Sequence, residues 1–213
     1  MISSSKPVFV ISGMSGTGKS CMLEDSRSIG CRVLRSNSKL LLDARMGDGV
    51  KLYNFLLTDC FMQAVHIQDF MREVEDDKPW LVERSIIDHY YFSVVKSKYV
   101  QHQQDVDDMN SKIKDYFSLI TGNFTRDLII VDIWNLDRDW ISRSLENKFR
   151  RELVDSIDGY LAMQEGYKTY FYGKLKDLGI PFDTIQLRIH DVKSQWTPDI
   201  RRSWIKEIIG PHI

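Results

Sequence analysis

The chain has 213 residues, enough for one compact α/β domain with a sizeable core. Hydrophobic content of 43% and charged content of 28% are those of an ordinary globular protein. A formal net charge of −1 removes any global electrostatic case for binding nucleic acid or an anionic membrane, and no apolar run approaches a membrane span. Cys21, Cys31 and Cys60 have no metal-like pairing, and so sparse and odd a set suits reduced thiols in a cytoplasmic setting.

Val8-Phe9-Val10-Ile11-Ser12 reads as a short buried strand, placed at 7–12, that runs straight into Gly13-Met14-Ser15-Gly16-Thr17-Gly18-Lys19-Ser20. That stretch has every fixed position of the G-x-x-x-x-G-K-[ST] phosphate-binding loop, and a helix is expected from Lys19 to about Ile29. Glycines let successive backbone N–H groups curl toward phosphate oxygens, and the helix adds its positive N-terminal end. Lys19 is expected at the β- and γ-phosphates and Ser20 on Mg²⁺; the expected ATP contacts are Gly13, Ser15, Gly16, Thr17, Gly18, Lys19 and Ser20.

Further strands are predicted at 31–36, 79–84, 127–133 and 182–188, all short and rich in β-branched or aromatic residues. Helices are predicted at about 51–75, 86–119 with a break, 139–158 and 160–178, with Gly122 and Gly179 where C-caps belong. Thr197-Pro198 opens a last helix that Gly210-Pro211 closes. Alternating strands and helices imply a three-layer sandwich around a mostly parallel five-stranded sheet, in a single domain over 1–213. The acidic run Glu73, Glu75, Asp76 and Asp77 reads as a solvated helix end.

The second informative stretch is Leu81-Val82-Glu83-Arg84-Ser85-Ile86-Ile87-Asp88-His89-Tyr90-Tyr91-Phe92, a strand that ends in an acid and a cation. At the carboxyl end of a central strand, Glu83 can face the Mg²⁺ held by Ser20, and Arg84 can face transferring phosphates. This element resembles the E-R-S element of the deoxynucleoside kinase and thymidylate kinase group of P-loop kinases. The resemblance implies a P-loop NTPase fold with a kinase-type lid, and ATP and Mg²⁺ as cosubstrate and cofactor. It further implies that Glu83 organises the metal and Arg84 contacts acceptor or phosphates. Leu128-Ile129-Ile130-Val131-Asp132 is a competing acid-ended strand, and Glu83 is preferred because acids at both strand ends fit the ligand crevice.

Two departures from that group bear on the acceptor. Deoxynucleoside kinases carry a glutamate just after their second strand that acts as base on the sugar hydroxyl; here the place reads Arg35-Ser36-Asn37-Ser38-Lys39, and the first acid downstream is Asp43. An acceptor phosphate needs cations more than a base, and Arg35, Lys39 and Arg45 supply them. A nucleoside monophosphate is therefore the preferred acceptor, held by Arg35, Glu83 and Arg84 with an insert at about 36–75. The group's Asp-Arg pair is Asp88-His89 in this chain.

Arg138, Arg143, Arg150 and Arg151 follow the fourth strand, where similar kinases place an arginine-bearing lid, here about 136–151. Arginine forks neutralise the equatorial oxygens of a transferring phosphoryl group, and Arg138 and Arg143 are chosen with Lys19 and Arg84 as catalytic. Glu146, Glu152 and Asp155 stand at helical spacing and are the competing partners for these arginines. The segment Arg188–Lys193 lies where similar kinases border the adenine, which makes His190 a candidate to stack or hydrogen-bond there or a solvated loop residue; Tyr53, Phe55, Phe61, Tyr90 and Tyr91 are candidates to stack on an acceptor base and mostly core candidates.

The expected activity is phosphorylation of a small-molecule nucleotide or nucleoside. One alternative is a kinase acting on a nucleotide or modified base within DNA or RNA, using Lys96, Lys98, Lys112, Lys114, Arg201 and Arg202 as a basic face. Another is a P-loop ATPase or switch with Asp132 as its metal acid. No Asn-Lys-x-Asp element marks a GTPase. No membrane partner is expected, and the oligomeric state is open, a homodimer being compatible.

Overall fold

The computed structural model describes residues 6–14, 16–36, 57–68, 78–92, 103–146 and 156–212. Five strands form one sheet: β1 Val8–Ser12, β2 Arg32–Leu34, β3 Trp80–Glu83, β4 Leu128–Asn135 and β5 Asp183–Ile189. Their order is β2-β3-β1-β4-β5 and every pairing is parallel. The helices, in chain order, are α1 Lys19–Ser28, α2 at 57–68, α3 Ile86–Tyr90, α4 Gln103–Ile120, α5 Arg138–Leu145, α6 Ile157–Asp177, α7 Val192–Gln195 and α8 Pro198–Ile209.

A parallel sheet buries both faces, so its central strands must be apolar at every position. β1 and β3 satisfy this with Val-Phe-Val-Ile and Trp-Leu-Val. Val8, Val10, Val82 and Ile130 join one core, with Ile113, Tyr116 and Phe117 of α4 and Tyr167 and Phe171 of α6. Phe9, Ile11, Leu81 and Val131 face the other side, against Met22 and Leu23 of α1 and Ile205 and Ile209 of α8. Each such side chain contributes about 1.5–3 kcal/mol when fully buried. β2 and β5 depart from this pattern: they are the edge strands, β2 half-buried throughout and β5 exposed or half-buried at most positions.

The region after β4 differs from the predicted boundaries. The Asp137 side chain accepts from Trp140 N and caps α5, which ends at Leu145. α6 begins three residues earlier than expected, because Ser156 accepts from Gly159 N as its N-cap and leaves Gly159 inside the first turn. Residues 37–56, 69–77 and 147–155 lie outside the described part, and with them most of the 36–75 insert and the end of the 136–151 lid segment.

The topology fixes where a ligand can sit. The β1 to β2 connection leaves on one side of the sheet order and the β3 to β4 connection on the other. β1 and β3 are therefore neighbours at a switch point, and the crevice lies outside their carboxyl ends. Among the described residues, no helix is long and apolar enough to cross a membrane.

Candidate active site

β1 delivers the chain into the glycine-rich turn, and close neighbours dictate its glycines. A Cβ on Gly13 would lie 2.8 Å from Thr17 Oγ1 and 3.0 Å from the Ile133 carbonyl oxygen of β4, a backbone atom that cannot move aside. Gly18 has φ 88°, and a Cβ there would lie 2.1 Å from Trp196 Nε1. Ser15 lies outside the described residues.

Lys19 opens α1 and is buried, donating from Nζ to the Gly13 carbonyl at 2.5 Å and the Met14 carbonyl at 2.6 Å. Burial, then the charge of Arg84, hold its pKa well below the usual lysine range; Asp88 and Glu83 oppose this. An anion placed against Lys19 would relieve that destabilisation.

The register of β1 and β3 sets Ile11 beside Glu83 and so brings the end of β3 level with the loop. Ser20 Oγ donates to Glu83 Oε1 at 3.3 Å, joining two positions 63 residues apart. A serine hydroxyl and one carboxylate are a donor set suited to Mg²⁺, which keeps waters and phosphate oxygens in its other positions. Among the described residues, no group of three His, Cys, Asp or Glu side chains gathers as an all-protein metal cage.

Arg84 follows with φ 66°, a left-handed conformation that non-glycine residues rarely adopt. Such strain persists only where the surroundings enforce it, and it clusters at functional positions. Arg84 N donates to the Ile11 carbonyl at 3.2 Å, while its guanidinium lies 5.8 Å from the centre of the Phe92 ring. Ser85 then starts α3: its N–H and Oγ donate to Asp88 Oδ2 at 2.7 and 2.8 Å. His89 is buried, with Nε2 at 3.4 Å from Ser36 Oγ. Burial and the charge of Arg84 lower its pKa to about 4, against the pull of Asp88.

Asp132, the rival acid, has a different setting. It is fully buried, in direct contact with Lys168 Nζ, and accepts from Trp134 Nε1 at 2.9 Å. Tyr167 Oη joins this layer to α3, lying 2.6 Å from Ser12 Oγ and donating to Asp88 Oδ1 at 2.6 Å. Burial lowers Lys168 to about 7, opposed by Asp88. Tyr167 and Lys168 are two residues the sequence did not single out. A buried stripe at 160, 163, 164, 167, 168, 171 and 175 of α6 carries them at helical spacing, and that spacing was the available signal.

The remaining candidates are less convergent. Arg35 pairs through Nη2 with Glu24 Oε1 of α1 at 3.0 Å. Arg138 pairs with Asp158 at 3.0 Å, both largely exposed. Arg143 donates from Nε to the Asp139 carbonyl at 3.3 Å and stacks 5.5 Å from the Trp140 ring centre. His190 is exposed, Tyr90 is in the core, and Phe61 and Tyr91 are half-buried against that core. Lys39, Arg45, Tyr53, Phe55, Lys96, Lys98, Arg150 and Arg151 lie outside the described residues.

A parallel sheet of order β2-β3-β1-β4-β5, a glycine-rich loop after its central strand and an acid-arginine end on the adjacent strand can be set beside solved structures. A thymidylate kinase from Candida albicans superposes with TM-score 0.58 at 14% identity, covering 98% of this chain and 94% of that one. This is a P-loop kinase fold. A protein of Chloroflexus aurantiacus provisionally named a kinase is similar at TM-score 0.50 and 8% identity, covering 95% and 98%. A deoxyadenosine kinase from M. mycoides has TM-score 0.49 at 14% identity, covering 96% and 98%. No family model and no curated protein matches the sequence. In this P-loop kinase fold the loop, Glu83 and Arg84 all meet at the carboxyl ends of β1 and β3.

Proposed function

We propose that the chain is an ATP- and Mg²⁺-dependent phosphotransferase acting on a nucleotide or nucleoside, with a monophosphate preferred as acceptor. The observation that carries this reading is the 3.3 Å contact of Ser20 Oγ with Glu83 Oε1 beside Lys19 and Arg84. Ser20 and Glu83 would hold Mg²⁺, whose charge neutralises phosphate oxygens when bound. The chain's own part is positioning and charge: loop N–H groups and Lys19 hold the phosphates, Arg84 lies beside the crevice, and Arg138 and Arg143 close from the lid.

The thymidylate kinase likeness supports a nucleotide acceptor, and the acid-free stretch Arg35-Ser36-Asn37-Ser38-Lys39 after β2 supports an anionic one, which would draw Arg35 from its pairing with Glu24. Two findings bear on the alternatives. Asp132 is committed to Lys168, which leaves the ATPase reading without its metal acid. Arg201 is largely buried against Asp25 of α1 at 2.7 Å and serves helix packing, while Arg202, 3.4 Å from the same carboxylate, stays half exposed with Lys112 and Lys114 exposed on α4. The free thiols of Cys21, Cys31 and Cys60 fit a reducing compartment such as the cytoplasm.

The test is transfer of label from γ-labelled ATP with Mg²⁺ to panels of nucleosides, monophosphates and oligonucleotides. Labelling of monophosphates above their parent nucleosides is expected. Labelling of oligonucleotides alone would replace the acceptor assignment, and phosphate release with no acceptor labelled would replace the kinase reading.

A further inference from the structure

The phosphate loop is gripped from outside by a side chain that no part of the motif requires. Trp140, in the first turn of α5, donates from Nε1 to the Gly16 carbonyl at 2.8 Å, across 124 residues of sequence. Its backbone is fixed in turn. Asp137 accepts from Trp140 N at 2.9 Å and from Val192 N at 2.7 Å, tying the start of the lid to the segment after β5. That same segment presses Trp196 against Gly18.

The consequence follows from the planarity of the peptide unit. The carbonyl of Gly16 and the N–H of Thr17 belong to one trans peptide and point in opposite directions. A donor that fixes the carbonyl outward fixes the N–H inward. Thr17 N lies on that inner side, where it makes a long hydrogen bond of 3.4 Å to the Met14 carbonyl, the same oxygen that Lys19 Nζ contacts at 2.6 Å. The indole thus aims a loop N–H at the space where Lys19 holds charge. Trp140 also carries Arg143 stacked 5.5 Å from its ring centre, so one side chain touches both the loop and a lid arginine.

We propose that Trp140 is a positioning residue for nucleoside triphosphate binding: its indole N–H fixes the Gly16–Thr17 peptide with the Thr17 N–H on the inner side of the loop, where a phosphate oxygen takes over the long bond to the Met14 carbonyl. The inference rests on the phosphate-loop reading above. It assigns Trp140 no contact with the reacting atoms.

The test is Trp140→Phe, which keeps an aromatic ring for Arg143 and removes the donor together with part of the ring volume. Because the lost bond is neutral and acts on ground and transition states alike, KM for ATP should rise roughly 3- to 10-fold, with kcat within about twofold and the acceptor KM unchanged. A purely structural role would lower the melting temperature and disturb both substrates equally. Equilibrium Mg²⁺-ATP binding is measured first on the wild-type protein. No binding there overturns the phosphate-loop reading and this inference with it. Wild-type binding together with equal ATP affinity in folded Trp140→Phe overturns the inference alone. Should that variant fail to fold, 5-fluorotryptophan placed at position 140 of the otherwise unchanged chain decides it. Its fluorine resonance should shift on saturation with ATP, and an unmoved resonance overturns the proposal.

Discussion

Asp132 and Lys168 form a buried ion pair directly behind the last residue of β1, with Lys168 Nζ 3.4 Å from Ser12 Oγ. An acid so engaged contributes to the packing of α6 on the sheet, whereas Glu83 turns its oxygen to Ser20 at the crevice. The two acids should fail differently. Asp132→Asn leaves a buried lysine without its charge partner and should lower stability by up to roughly 3–5 kcal/mol, less where Lys168 sheds its proton. Glu83→Gln should leave stability nearly unchanged and raise the Mg²⁺ concentration needed for turnover. Urea unfolding and Mg²⁺ titration of initial rates separate them. A larger loss of Mg²⁺ affinity in Asp132→Asn would reverse the assignment.

The parts of the site legible in the sequence are those enforced by local geometry. Gly13, Gly18, Lys19 and Ser20 stand at fixed spacing because one loop must curl around one group, and Glu83-Arg84 ends a strand whose apolar run announces it. The rest depends on contacts between distant segments. Trp140 meets Gly16, Tyr167 meets Ser12, and Lys168 meets Asp132 at separations of 124, 155 and 36 residues, and no local period encodes such pairs. Lys168 on a long helix reads as a solvated cation until the helix is seen to be buried on that face. Arg201 and Arg202 read as a basic surface for the same reason, and the buried Asp25 that takes them was invisible.

Lys19 is costly to the folded protein on its own. Its burial and its repulsion from Arg84 both lower its pKa, so replacing it removes an unfavourable charge. Lys19→Ala should therefore retain or exceed the wild-type melting temperature while phosphoryl transfer falls by about 10²-fold or more. A marked fall in melting temperature would show that the side chain is structural. Wild-type turnover in the folded variant would end the phosphate-loop reading.

Arg84 presents the same opposition in its backbone. At φ 66° a glycine would relieve strain worth roughly 1 kcal/mol, offset in part by the lost contact with Phe92. Arg84→Gly should be as stable as the wild type by urea unfolding and should lose transfer by at least an order of magnitude. Arg84→Lys should keep the strain and recover only part of the rate, because the ammonium lacks the bidentate fork. Equal rates for arginine and lysine would remove the phosphate contact from Arg84.

His89 gives a stability signature that depends on pH. Its folded pKa of about 4 lies below the ordinary 6.5, from burial and the nearby Arg84 charge, with Asp88 opposing. Above pH 6.5 the ring is neutral in both states and contributes nothing to the pH dependence. Between 6.5 and 4 the unfolded chain binds a proton that the folded chain does not, so stability falls as the pH falls. The loss should be about 2 kcal/mol between pH 7.5 and pH 5, and on the order of 3 kcal/mol once pH 4 is passed. His89→Gln keeps a polar group toward Ser36 and has no proton to gain. Urea unfolding of both proteins at pH 7.5, 6 and 5 should give converging stabilities as the pH drops, with the variant losing less. Parallel pH dependences would mean that His89 titrates alike in the folded and unfolded states, and its environment would have to be redrawn around Asp88.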